Sequence, residues 1–359
     1  MIRYSPGANI KTSDARLLVN TVNTVGVMGA GVAKAIKERF PAIMEPYQAA
    51  CKDPDPKRRL EPGLIHLYQV PDGPLVVNMA TKKDWRDGSE YEWVGAGLVY
   101  VNRLLCERRL DISSALIPPP GCGHGGLDWS RVNHMLRVYL RAASERVDIE
   151  ISSDEPAPYL APIRFAGVGA RATPAPVLTL MRDTGALLVE GGWSLRTGEA
   201  IGADAAFREG ALEAGHPGDI FTIKPRPDIP GSLCDLRPTH LRMLRSIHPK
   251  PDALGPEALK LMARNGNQVF GLHFTEPSDV VICWTKGGRG EGGTGQAIRL
   301  ARSVGIPVID LGSPELSGIS AQDLRDLAGD TVAKHRVACD IPLPGRSPAL
   351  SGEHQSPGP

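Results

Sequence analysis

The chain lacks an excess of charge of either sign. Its 41 Lys and Arg stand against 40 Asp and Glu, a formal charge of +1 over 359 residues. No global pull toward nucleic acid or membrane follows, so any basic face must be local. The six cysteines, Cys51, Cys106, Cys122, Cys234, Cys283 and Cys339, show no C-x-x-C spacing. They read as reduced thiols. No apolar run approaches the ~18 residues that a membrane helix needs. Residues 1–6 lack the apolar segment of a signal peptide, so none is expected, and a cytoplasmic location is. No His/Asp/Glu cluster has metal-ligand spacing, so neither a metal nor another cofactor is expected.

What is present is ordinary globular composition, 42% hydrophobic and 23% charged, in a chain long enough for two domains. Strand-like and helix-like stretches alternate. Strands are expected at 2–4, 15–20, 64–70, 74–79, 115–117 and 147–151, and helices at 29–40, 41–51, 90–107 and 128–146. Residues 152–162, with their prolines, acids and serines, break the pattern and read as a linker. The alternation restarts with strands at 163–168, 186–190, 218–224, 280–284 and 307–311. Helices are expected there at 174–184, 202–214, 238–246, 257–266 and 296–304. The fold class is therefore α/β, two three-layer α/β/α domains with mainly parallel sheets. Domains are expected at 1–151 and 163–339, and a disordered tail at 340–359.

The sharpest motif follows the second strand. Asn20 and Asn23 precede Gly26, Gly29 and Gly31 in a Gly-x-x-Gly-x-Gly turn that opens a helix. Glycines admit a ligand close to the backbone, and a helix start offers free N–H groups to a diphosphate. The usual dinucleotide spacing is missing. A second glycine loop, Gly121, Cys122, Gly123, His124, Gly125, Gly126 and Leu127, also runs into a helix. Two such loops at strand ends would form one anion nest. Between them, Lys82 follows an apolar strand. One reading makes it a desolvated nucleophile or base, the other a solvated lysine like Lys83. His124 reads as an acid or base or as a bystander, and Cys122 as a nucleophile or as small packing. Lys57, Arg58, Arg59, Lys82, Lys83 and Arg86 are candidate phosphate contacts, with Trp85 as a stacking platform. The alternative is a solvated basic loop and a core tryptophan.

These three motifs, with Asn78-Met79-Ala80-Thr81-Lys82 between the loops, resemble a macrodomain. They are most similar to the DNA ADP-ribosyl glycohydrolase antitoxins of the DarG type. The resemblance covers residues 1–151. It implies ADP-ribose as ligand and hydrolysis of ADP-ribose from thymidine in DNA, reversing a toxin's modification. It also implies Lys82 as the catalytic lysine, with Asn23 beside the distal ribose. Ala30, Val32 and the glycines of both loops would cradle the diphosphate, with Asn20 nearby. Asn9 stands where many macrodomains carry an adenine-binding Asp. Gly125 stands where the terminal ADP-ribose glycohydrolases carry one.

The second half has its own glycine turns. Gly169 and Arg171 follow a strand. Gly192 and then Asp204 follow the next, and Gly292, Gly293 and Thr294 open a later helix. Together they describe a phosphate-binding crevice. Glu190 and Asp204 are candidate functional acids or, alternatively, capping residues. The pattern over 163–312 resembles the SLOG superfamily of Rossmann-like domains, which includes the Lonely-Guy and DprA types. The loop after Thr294 lacks the glutamate of the enzymatic branch. The resemblance implies a nucleotide-like ligand, and a homodimer formed through this domain. Two functions are carried forward: a glycohydrolase acting on ADP-ribosylated DNA, single-stranded DNA included, and a non-catalytic binder of ADP-ribose or NAD-derived signals in phage–host conflict.

Overall fold

The strand Leu17–Asn23 (β2) shows how the first sheet is built. Leu17 and Val19 face one side and Leu18 and Val22 the other, all buried. A strand buried on both faces must lie centrally between two helical layers. Each such side chain contributes about 1.5–3 kcal/mol on leaving water. The computed structural model describes residues 1–344. Around β2 stand β1 (Ile2–Tyr4), β3 (Ile65–Gln69), β4 (Leu75–Lys82), β5 (Ser114–Ile117) and β6 (Asp148–Ile151), in the order β1-β6-β5-β2-β4-β3. All pairs are parallel except β3 with β4. Helices α1 (Gly31–Arg39) and α2 (Met44–Lys52) cover one face. The long α3 (Tyr91–Cys106), α4 (Trp129–Tyr139) and the short α5 (Arg141–Ser144) cover the other.

The second sheet holds β7 (Arg164–Gly169), β8 (Ser194–Gly198), β9 (Asp219–Phe221), β10 (Ser232–Leu233), β11 (Val280–Trp284) and β12 (Val308–Asp310). Its order is β10-β9-β8-β7-β11-β12, parallel throughout. Helices α6 (Ala175–Glu190), α7 (Ala203–Glu213), α8 (Pro238–Ile247), α9 (Pro256–Phe270), α10 (Gly292–Val304) and α11 (Ala321–Ala338) complete it. The chain winds outward from β7 in both directions, so the switch point lies between β7 and β11.

Three expectations need correction. The apolar stretch 186–190 is no strand. It is the last turn of α6, which buries Met181, Thr184, Gly185, Leu188 and Val189 at helical spacing. A short apolar run reads either way, and here the helix period wins. Helix α11 stands where no element was expected. Residues 340–344 are ordered: Ile341 is buried and Asp340 pairs with Arg137. The rest of the expected tail, 345–359, lies outside the described residues.

The two sheets are not beads on a string. One apolar cluster runs from Val94, Leu98 and Met135 into Phe270, Phe274, Leu300 and Val304. Across it Tyr139 donates to the Phe274 carbonyl at 2.8 Å and Asn102 to that of Ser303 at 2.6 Å. The 152–162 segment is tied in too. Arg336, fully buried, donates to the Ala161 and Pro162 carbonyls and pairs with Asp279.

Candidate functional site

The cleft lies at the carboxyl edge of the first sheet. Strand β2 slips its register against β4 between Val22 and Asn23, so Asn23 stands opposite Lys82. That irregularity brings the two expected catalytic residues side by side. The turn after β2 needs positive φ at Gly26 (+83°) and at Gly31 (+55°), where α1 begins. Ala30 gives α1 no side-chain cap, so its first N–H groups remain open to an anion. Across the cleft, the second loop turns at Gly121 and Gly126, both with positive φ. Leu127 N–H bonds back to Gly121 O at 3.0 Å, and Ser89 N–H to Gly125 O at 2.9 Å. Between the loops is a cleft of about 850 Å³. It is in the range of small-molecule sites.

Most of the expected residues converge there. Asn23, Gly29, Ala30, Gly31, Val32, Lys82, Gly121, Gly123, His124 and Gly125 line the cleft. Lys82 Nζ donates to the His124 carbonyl at 2.7 Å, linking β4 to the second loop. Two ammonium protons remain for other partners. Asn23 is otherwise engaged. Its Oδ1 accepts from Val25 and Val27 N–H, and its Nδ2 donates to Val27 O at 2.7 Å. Tyr47 hydroxyl donates to Asn23 O at 2.6 Å. The Asn23 amide therefore shapes the loop rather than facing a ligand freely.

Other expected contacts are not at the wall. Asn20 is fully buried beneath the turn, where its Nδ2 donates to Asn78 Oδ1 at 2.7 Å. The two face each other in register on β2 and β4. Asn9 uses its Oδ1 on Lys11 N–H within its own turn. Gly126 and Leu127 close the second loop from outside the cleft, with the Leu127 side chain packed under Gly121. The Cys122 thiol points away and donates to Pro120 O. Burial pushes its pKa up to about 12, so it stays protonated and is no nucleophile.

The rim separates the basic candidates. Trp85 is 56% exposed at the mouth, not a core residue. The Arg86 guanidinium lies 5.3 Å from its ring centre and grips Asp84 with two bonds of 2.9 and 3.0 Å. Arg86 in turn holds the Asp84 carboxyl down at about 2. Arg58 is tied to Asp53 and Asp55, and Arg59 donates to Asp53 O. Sequence reasoning missed Ser89. Its hydroxyl is buried, lines the cleft and has no partner, a free group for a ligand. A single Ser ahead of α3 carries no sequence signal.

In the second sheet, Gly169 ends β7 with Arg171 just after it, and Gly292, Gly293 and Thr294 open α10 after β11, flanking the switch point. The start of α10 has no side-chain cap. Asp204 is buried. Its Oδ1 accepts Gly169 N–H at 3.3 Å, and its Oδ2 lies 3.5 Å from Arg264. Burial raises its pKa against the pull of Arg264. It ties α7 to β7. Gly192 and Glu190 do not join them. They form the turn between α6 and β8, at the opposite edge of the sheet. Among the described residues no group of three His, Cys, Asp or Glu converges for a metal ion.

Comparison with known proteins bears on the first sheet. The DNA ADP-ribosyl glycohydrolase of Mycobacterium tuberculosis is 40% identical over 141 residues, 38% of this chain and 38% of that one. That of Thermus aquaticus is 38% identical over 148 residues, 40% of this chain and 38% of its own. The chain thus spans about two-fifths of the length of these relatives. The solved macrodomain of Mycobacterium tuberculosis DarG is 37% identical, covering 42% of this chain and 96% of that one, with a TM-score of 0.38. The Macro domain family model matches residues 19–136, and over its N-terminal two-fifths this chain is similar to DNA ADP-ribosyl glycohydrolases.

Proposed function

We propose that the macro-domain cleft binds ADP-ribose and removes it from nucleic acid, with thymidine in DNA as the acceptor. The observation that carries this reading is the position of Lys82. It stands at a strand end between two glycine loops, its Nζ fixed on the His124 carbonyl. The open N–H groups of α1 and the 121–126 loop would hold the diphosphate. The distal ribose would then lie against Lys82, positioned before reaction. Lys82 acts as the neutral amine, once its ammonium proton has passed to solvent: it either attacks the ribose carbon bonded to the base, giving an adduct that water then hydrolyses, or takes a proton from the water that attacks that carbon. The C–N bond to thymine breaks, the base leaves with a proton, and water oxygen ends on the ribose carbon. Trp85 at the mouth would stack a neighbouring base. The name that the relatives share supports the same chemistry.

The second sheet fits a SLOG-type domain. Its ligand would be nucleotide-like and sit at the switch point between β7 and β11, on the uncapped start of α10. An oligonucleotide carrying ADP-ribosylated thymidine tests the first reading. The protein should release ADP-ribose, and Lys82→Ala should lose at least a hundredfold in rate while still binding free ADP-ribose in calorimetry. Equal release by both proteins would overturn Lys82. Binding without release by the unmodified protein would convert the reading to a sensor of ADP-ribose.

A further inference from the structure

A groove lies in the seam between the two sheets, where α3 and α10 both end. One hollow of about 520 Å³ is lined by Arg103, Arg108, Arg109, Ala142 and Arg302. A second of about 490 Å³ shares Ala142 and Arg302 and runs on past Arg141, Gly305 and Lys334. The shared residues make them one groove. Its walls come from both halves of the chain. The Asn102–Ser303 bond joins them, and Gly305, at φ +87°, lets its turn sit against Ala142.

Six Arg and Lys side chains line the groove against two acids, Glu107 and Glu145. Of its basic residues, Arg141 is paired, with Glu145 at 2.9 Å. Among the described residues, Arg103, Arg108, Arg109, Arg302 and Lys334 have no carboxylate within ion-pair distance. The basic residues that sequence placed near the cleft differ, because Arg58 and Arg86 are held by their own aspartates. In a chain of net charge +1, unpaired cations along one channel concentrate positive potential there. The lining contains no Phe, Tyr or Trp and no large aliphatic side chain. An amphipathic peptide would find no apolar anchor. Guanidinium forks match phosphate oxygens.

We propose that this seam groove binds the sugar–phosphate backbone of a nucleic-acid strand without regard to base sequence. It is separate from the cleft. Helix α3 starts at the cleft rim and ends at the groove, and its 16 residues span about 24 Å. That length equals roughly seven base steps of duplex. A strand engaged at both places would have to span at least that distance. The proposal does not depend on the cleft's chemistry, because binding of an unmodified strand reads the groove alone.

The test uses the full chain and a fluorescein-labelled, unmodified single strand of about 20 nucleotides, followed by anisotropy. Neutralising five phosphates should weaken binding about a hundredfold between 50 and 200 mM salt. Arg109→Glu with Arg302→Glu should weaken it at least tenfold at low salt and flatten the salt dependence, while ADP-ribose binding in calorimetry is kept. Arg103→Gln with Arg108→Gln, which leaves the α10 wall untouched, should act in the same direction. No binding by the unmodified protein, or unchanged binding by both variants, would overturn the proposal. Displacement by polyglutamate at matched charge would overturn it too, in favour of an acidic polypeptide.

Discussion

Replacing Gly95 by alanine sets two physical effects against each other. Gly95 lies inside α3, where alanine is favoured over glycine by about 1 kcal/mol from helix propensity. A Cβ at this position, however, would lie 2.3 Å from the Phe274 carbonyl oxygen and 3.1 Å from the Phe274 Cβ. The two backbones would have to part by about 1 Å, and overpacking of this kind costs about 1–3 kcal/mol. The same carbonyl accepts the Tyr139 hydroxyl at 2.8 Å, and losing that buried bond adds about 1 kcal/mol. The net expectation for Gly95→Ala is a loss of about 1–3 kcal/mol. Gly329→Ala is the matched control. It is also inside a helix, α11, but its Cβ would meet nothing within 4 Å. It should gain the propensity term alone. Urea unfolding of both variants measures the difference. A Gly95→Ala protein as stable as the Gly329→Ala one would show that the two halves do not meet as described.

Three further outcomes follow from the cleft and the seam. Gly125→Ala places a Cβ 2.2 Å from Gly121 O and 2.4 Å from Ser89 Oγ, whereas Gly123→Ala meets nothing within 4 Å. The first should weaken ADP-ribose binding at least tenfold in calorimetry and the second should not, and equal affinities would contradict the loop geometry. Asn23→Ala removes the acceptor of Val25 and Val27 N–H and should cost about 2–3 kcal/mol in urea unfolding. A loss of rate without a loss of stability would instead return Asn23 to direct chemistry. His134 and His335 are both held neutral by burial, their pKa lowered to about 4. The unfolded chain takes up these protons first, so stability is full above about pH 6.5 and falls toward pH 4. Each histidine should remove about 2 kcal/mol by pH 5. A urea midpoint that stays flat from pH 7 to 5 would refute this.

The glycine turns were legible because their conformations are local. Gly26, Gly31, Gly121 and Gly126 take positive φ, a conformation that glycine reaches without a Cβ clash. Lys82 was legible as the end of an apolar strand. The Asn20 error is instructive, because period-two alternation already places it on the same face as Leu18 and Val22. An asparagine on a core face needs a buried partner, and Asn78 supplies it from the neighbouring strand. What could not be read was which charges pair and which meet across the fold. Arg58 and Arg86 look basic in sequence, yet neighbouring aspartates fold back onto them. Arg302, near the end of α10, meets Arg103 and Arg109 only through the docking of the two halves.

That docking did leave one trace in the sequence, in α3. Residues 90–107 read as an amphipathic helix with Val94, Leu98, Val101 and Leu105 on one face, but in the structure every residue from Trp93 to Val99 is buried. A helix apolar all round needs cover on both sides. Gly95 and Gly97 show where the cover comes from. Two residues apart on a helix is a turn of about 200°, so they face opposite ways. A Cβ on Gly97 would strike Met79 of β4, and one on Gly95 would strike Phe274 of the second half. One glycine seats the helix on its own sheet and the other receives the neighbouring unit. The helix also begins beside Ser89 at the cleft, where buried Glu92 pairs with Arg237 of the second half. The cleft rim is therefore held from both halves of the chain, and a fragment cut at residue 151 would lose one of its supports.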